Sequence, residues 1–334
     1  MRVRRSIQWL VVSALALSVA ASAQTRATRP PSKAPPAAAR EDDTFADYAA
    51  QGFQFEHARS PEWQLAEHRR LDRALAAVQP ERKGVVDAYV LVAGLDSDAV
   101  FGREAREAGR VLARRYDAAA RTIVLAGPDG RSADRLGADT PARGSPDNIA
   151  AALARIAEVM DKREDVLVLY TTSHGADYGI VYQDGDAGVG TIAPVRLAAM
   201  LDGLGIRRRL VIVSACYAGV FVPKLAEPDG VVMTAASADR SSFGCEADSD
   251  WTFFGDALVN HALRKGQPFA AAAKEATGLI ARWEGLGKLR ASNPQLAIGA
   301  RAGKWLTVLD GGVPKAETKP VGRPATSLFA RKEG

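Results

Sequence analysis

Two cysteines and four histidines in 334 residues close off several kinds of chemistry. Two thiols cannot make the disulfide lattice of a small secreted scaffold, and a chain this long does not need one. His57, His68, His174 and His261 are scattered, so no cluster with zinc-ligand spacing exists. No glycine loop precedes a Lys-Ser/Thr pair, and no Gly-x-Ser-x-Gly elbow surrounds Ser214. A phosphatase loop would need an arginine six positions after Cys216, where Val222 stands. Charge of one sign is not in excess either. The formal net charge is +5, and residues 1–23 supply Arg2, Arg4 and Arg5 with no acid, which leaves +2 for the remainder. That balance, with no basic stripe interleaved with aromatics, gives no case for nucleic acid as a partner. Arg207-Arg208-Arg209, just before a strand, reads as a solvated turn.

Long apolar runs are also scarce. The one at residues 7–21 follows the three arginines and precedes Ala21-Ser22-Ala23, a small-x-small cleavage pattern. Residues 1–23 therefore read as a secretory signal peptide. Arg4-Arg5 hints at twin-arginine export, and no cysteine follows the run to carry a lipid. The other reading of this segment is an uncleaved anchor, the one route by which the chain would touch a membrane, although the run is short for a span. Export to the periplasm or beyond the cell is the expectation.

The rest divides by composition. Residues 24–44 are Pro/Ala-rich and read as a disordered linker. Residues 45–84 form a patchy helical extension, with Pro61-Glu62-Trp63 at a helix start; it either packs on the domain, which is preferred, or acts as an inhibitory pro-segment. Residues 85–308 make the domain proper, and residues 309–334 are expected to be a flexible tail. Within the domain, residues 88–94, 121–126, 166–170, 210–213 and 231–236 are apolar, β-branched runs of buried-strand type. Helices are expected over 103–116, from Ser145-Pro146 through Ile149, Leu153, Ile156 and Met160, and over 194–204, 251–263 and 268–283. Strands alternating with helices predict an α/β sandwich with a mostly parallel central sheet. A long Gly/Pro/Asp-rich loop spans 127–145.

Two of these strands end in reactive side chains. Residues 166–170 lead through Thr171-Thr172-Ser173 to His174-Gly175, and residues 210–213 lead through Ser214-Ala215 to Cys216-Tyr217-Ala218-Gly219. Parallel strands with helical crossovers bring their C-terminal ends to one edge, where α/β folds bind ligands. His174 and Cys216 thus come together as a base and a thiol nucleophile. The backbone N–H groups of Gly175 and Cys216 can serve a developing oxyanion, and a helix starting at Cys216 would lower the thiol's pKa. The alternative for Cys216 is a structural disulfide with Cys245; a free Cys216 is preferred, with Cys245 near the same pocket.

Thr172-Ser173-His174-Gly175, Ser214-Ala215-Cys216-Tyr217-Ala218-Gly219 and the block 234–258 (TAASADRSSFGCEADSDWTFFGDAL) resemble the legumain (asparaginyl endopeptidase) family of caspase-like cysteine peptidases, especially its shorter bacterial members. The likeness runs over residues 85–299, ending in Ser292-Asn293-Pro294-Gln295. It implies a caspase-like three-layer α/β/α sandwich, a His174–Cys216 dyad with Gly175 and Cys216 at the oxyanion hole, and a peptide or protein substrate. It implies no metal and no organic cofactor. For the substrate pocket it implies Arg103 and Asp256, with Ser241 and Ser242 along the wall. Ser214 replaces the family's acid two places before the nucleophile, and Phe101 stands where the family has the asparagine that orients the histidine. Asp177 and Glu246 are further candidate pocket acids. Asp186, in Asp184-Gly185-Asp186, reads as part of a hairpin turn rather than a calcium ligand. The expected function is exported cysteine endopeptidase, with Asn or Asp before the scissile bond by resemblance and transpeptidation as a close variant. The rival is an inactive caspase-like envelope module that binds peptide or a protein partner.

Overall fold

A computed structural model of the protein describes residues 41–127 and 140–330. The leader, most of the linker and most of the 127–145 loop lie outside the described residues. In order, the chain forms α1 (Glu41–Gln51), β1 (Gln54–Glu56), α2 (Pro61–Ala76), β2 (Ala88–Gly94) and α3 (Ala99–Arg115). Next come β3 (Thr122–Leu125), α4 (Pro146–Val159), β4 (Val166–Thr172), β5 (Gly175–Ala176), β6 (Gly179–Asp184) and β7 (Gly188–Ile192). Then follow α5 (Pro194–Gly203), β8 (Arg209–Ser214), α6 (Val222–Leu225), β9 (Gly230–Thr234) and α7 (Phe253–Gly255). α7 runs on through π-helical turns at Asp256–His261 and a 3-10 turn at Ala262–Arg264. α8 (Phe269–Leu286), β10 (Gln295–Ile298), α9 (Ala302–Gly311) and α10 (Ser327–Ala330) complete the described elements.

The main sheet has the order β10-β9-β8-β4-β2-β3 and is parallel except for β10. Every residue of β2, β4, β8 and β9 is buried, which explains why these strands read as continuous apolar runs. Their side chains alternate between two cores. Val90, Val92, Val168, Tyr170, Leu210 and Ile212 meet α3, α8 and α9 on one face. Leu91, Leu167, Leu169, Val211 and Val213 meet α4 and α5 on the other. The result is the three-layer α/β/α sandwich with a mostly parallel sheet that the resemblance implied.

A second sheet, β1-β7-β6-β5, is antiparallel throughout. It was not foreseen as a sheet, although the Asp184–Asp186 hairpin turn was; Asp186 is exposed within it. β1 brings the N-terminal extension into this sheet, pairing Gln54, Phe55 and Glu56 with Gly190, Val189 and Gly188. α2 starts as expected, with Ser60 capping Trp63 N–H and proline in the first turn. α3 begins four residues before its expected start, because Val100, Phe101 and Gly102 are all buried and the first turn lacks an exposed polar face.

The expected flexible tail is a correction. Val313 and Ala325 are buried, and Phe329 meets the ring of Phe253 edge-on at 5.8 Å. Trp251 Nε1–H donates to Val321 O at 2.8 Å, so residues 313–330 form a packed strap across the 248–256 segment. No helix among the described residues is long and apolar enough to cross a membrane.

Candidate active site

β4 and β8 lie side by side with Thr172 opposite Ser214, so the chain leaves both strands at the same level of one sheet edge. Beyond β4, Ser173 N–H donates to Ser214 O at 3.1 Å and the Ser173 hydroxyl donates to Val181 O at 2.7 Å. Val181 N–H in turn donates to His174 O at 3.0 Å. The backbone on each side of His174 is therefore pinned to β8 and to the hairpin. A Cβ on Gly175 would stand 2.1 Å from Cys216 O, so the histidine segment and the cysteine turn pass each other backbone to backbone.

Cys216 sits on a sharp turn. Tyr217 takes a left-handed conformation (φ 56°), and its N–H donates to Arg240 O at 2.7 Å. Ser242 N–H donates to Cys216 Sγ at 3.3 Å, with the Ser242 hydroxyl and carbonyl each 3.6 Å from the sulfur. An amide and a hydroxyl donor are thus in place for a thiolate. The expected helix at Cys216 is a correction: a 3-10 turn, Ala218–Phe221, leads into the four-residue α6, too short to supply a useful dipole. No hydrogen bond joins Cys216 to His174, and catalytic contacts of this kind commonly close only when substrate arrives.

His174 is met by the first turn of α3. Asp98 Oδ2 lies 3.7 Å from His174 Nε2, with the two side chains 47% and 40% exposed. Phe101 meets the imidazole edge-on, with ring centroids 5.0 Å apart and planes at 78°. Asp96 is buried and accepts from Asp98 N–H at 2.8 Å. Burial pushes the Asp96 carboxyl up, opposed by that hydrogen bond and by the positive charge His174 can carry. Asp96, Asp98 and His174 have ligand-type atoms within 4.8 Å of one another. A cation on this trio would take up a nitrogen of the imidazole, and no other His, Cys, Asp or Glu among the described residues joins the group.

The expected pocket residues separate. Ser242 borders the sulfur and Ser241 is exposed beside it. Ser214 is turned inward: its hydroxyl donates to Glu104 Oε1 at 2.9 Å. Arg103 binds the carbonyls of Ala247, at 2.7 Å, and Ser249, with Asp250 Oδ1 at 3.9 Å. Asp256 is fully buried, accepting from Asn260 Nδ2 and Ala325 N–H, both at 2.8 Å. Ser214 and Asp256 are thus internal ties rather than pocket walls, because each finds its partners inside the core. Asp177 and Glu246 are exposed. Both cysteines are free. Cys245 lies near the site as expected: burial, then the charges of Cys216, Glu246 and Asp98, push its thiol up to about 11.

Sequence reasoning missed Glu104 and the role of Asp98. Glu104 is fully buried and accepts from Tyr170 Oη (2.7 Å), Ser214 Oγ, Thr252 N–H (3.0 Å) and Thr252 Oγ1 (2.8 Å). Its signal was present: an acid between Phe101, Ala105 and Ala108 on the apolar stripe of α3. For Asp98 the signal was its position just after a strand's C-terminal end.

Residues 144–276 match the family model described as the Peptidase C13 family, a span that holds both His174 and Cys216 but not β2 or α3. No curated protein gives a significant match.

Proposed function

We propose, from the match of residues 144–276 to the Peptidase C13 family model, that the protein cleaves peptide bonds through His174 and Cys216. The observation that carries this reading is the register of β4 against β8, which delivers a histidine and a cysteine from neighbouring strand ends to one edge. In the reaction the Cys216 thiol gives its proton to His174 and the sulfur attacks the scissile carbonyl. The N–H groups of Gly175 and Cys216 receive the oxyanion. Collapse of the tetrahedral intermediate expels the amine, which takes the proton back from His174. Water, deprotonated by His174, then hydrolyses the thioester and frees Cys216. The free state of both cysteines supports this over a disulfide-locked binding module. Asn or Asp before the scissile bond remains the expectation by resemblance, read without the inward-turned Ser214 and Asp256 as recognition groups. Export, with cleavage near Ala23, belongs to the same proposal and is supported by the arginine-led apolar run at the start of the chain.

The test is a peptide library incubated with the purified chain and with Cys216→Ser, read by mass spectrometry. Cleavage and a transient acyl adduct on Cys216 are expected for the parent chain alone. Product formation at the same rate in Cys216→Ser, or none in either, rules the assignment out.

A further inference from the structure

We infer that Asp98 is the positioning residue for His174, its carboxylate taking the Nε2 side of the ring while Phe101 walls the imidazole from an adjacent direction. The inference rests on the cysteine-peptidase reading and deepens it.

Asp98 occupies the N-cap position of α3, where an aspartate ordinarily accepts an amide N–H from the first turn. Here its side chain makes no capping bond, and Phe101 N–H donates instead to the Asp98 backbone carbonyl at 3.1 Å. The carboxylate is left facing His174 Nε2 at 3.7 Å. Asp96 fixes where that carboxylate starts from, because its own side chain accepts Asp98 N–H. Three residues on, fully buried Phe101 stands edge-on to the imidazole. One turn of one helix thus touches the ring twice, by charge and by shape. Phe101 carries no polar group, so the charged contact with the ring falls to its neighbour one turn back.

With the Asp98 carboxylate on the Nε2 side of the ring, Nδ1 is the nitrogen left to take the Cys216 proton, and the nearby negative charge attracts the positive charge that the transfer creates. Other titratable groups at the site are Asp96 after β2, Asp184 on β6, Cys216 after β8, and Cys245 and Glu246 on the loop between β9 and α7. Among the described residues, Asp98 is the one within ion-pair distance of the ring.

The test needs no known substrate. Iodoacetamide labelling of Cys216 is followed from pH 4 to 9 in the full chain, in Asp98→Asn, Asp98→Glu and His174→Ala, with peptide mapping to separate Cys216 from Cys245. The parent chain is expected to label rapidly below pH 7, and His174→Ala to lose that phase. Asp98→Asn should label about tenfold more slowly at pH 6, because the amide no longer offers the carboxylate's negative charge to a thiolate–imidazolium pair. Its Tm should be unchanged, since the Asp98 side chain makes no capping bond that asparagine could lose. Asp98→Glu should recover most of the rate. An Asp98→Asn profile that overlays the parent while His174→Ala still loses the phase overturns the positioning role and leaves the dyad standing. So does a rate loss matched by a fall in Tm, or one that Asp98→Glu does not rescue. A parent profile that ignores His174→Ala overturns both readings.

Discussion

A methyl group at residue 175 has nowhere to go. Its Cβ would sit 2.1 Å from Cys216 O and 3.0 Å from Ala215 Cβ, so the two backbones would have to part. Gly175→Ala should therefore cut kcat/KM by about a hundredfold, the scale expected when reacting groups are displaced by about 1 Å. Tm should change much less, because the sheet interior is not involved. Equal activity in Gly175→Ala would mean that the two strand ends need not touch for catalysis. At this scale the arrival of His174 and Cys216 at one sheet edge was legible because a β-branched run followed by His-Gly or Ala-Cys fixes where each residue emerges. The supporting shell was not. Whether Ser214 faces a pocket or Glu104 depends on which carboxylate lies across the core, and residues 104 and 214 are joined only in three dimensions.

The second sheet depends on a cluster of charges. Arg143 donates to Glu56 Oε1 at 2.8 Å, Tyr182 Oη donates to the same oxygen at 2.6 Å, and Arg59 reaches Glu56 and Asp184. Burial works to raise the Glu56 carboxyl, but the hydrogen bonds from Arg143 and Tyr182 and the charges of Arg143 and Arg59 outweigh it and hold it below its ordinary 4.5. A carboxyl held low in the folded state stabilises fully above its ordinary value, and that stability is lost as pH falls through the folded value. Below pH 4.5, amides of β1 and β7 should exchange faster while those of β2, β4 and β8 hold, as read by hydrogen-exchange mass spectrometry. Arg143→Ala should give the same pattern at neutral pH. Uniform protection across both sheets would show that the cluster does not hold β1. The strands of this sheet were harder to read than those of the main sheet for a physical reason. β1 has three residues, Gly188 and Gly190 dilute β7, and none of the four strands is buried on both faces.

Across the whole molecule, the block 234–258 was recognisable, but the job of its aspartate was not. Asp256 ties the π-helical turns to the strap through Asn260 and Ala325, with His261 Nε2 3.5 Å away. Asp256→Ala strips acceptors from buried amides, each worth about 1–3 kcal/mol, so Tm should fall by roughly 6 °C or more. The residue preference before the scissile bond, measured on the same peptide library, should stay as it was. A changed preference at unchanged Tm would return Asp256 to the pocket. Partners 69 positions apart leave no local pattern in a sequence, which is why a Pro/Gly/Lys-rich stretch read as loose tail.

The strap also sets an order in time. Arg323 binds Asp248 O and Asp250, Val321 O holds the Trp251 indole, and the segment they brace leads back to Ser242, the neighbour of the Cys216 sulfur. During synthesis Cys216 leaves the ribosome about a hundred residues before Val321 and Arg323 do. For that interval the growing polypeptide carries the thiol and the histidine without the brace on the loop beside them. The loop beside Cys216 thus gains this brace only in the last stretch of translation.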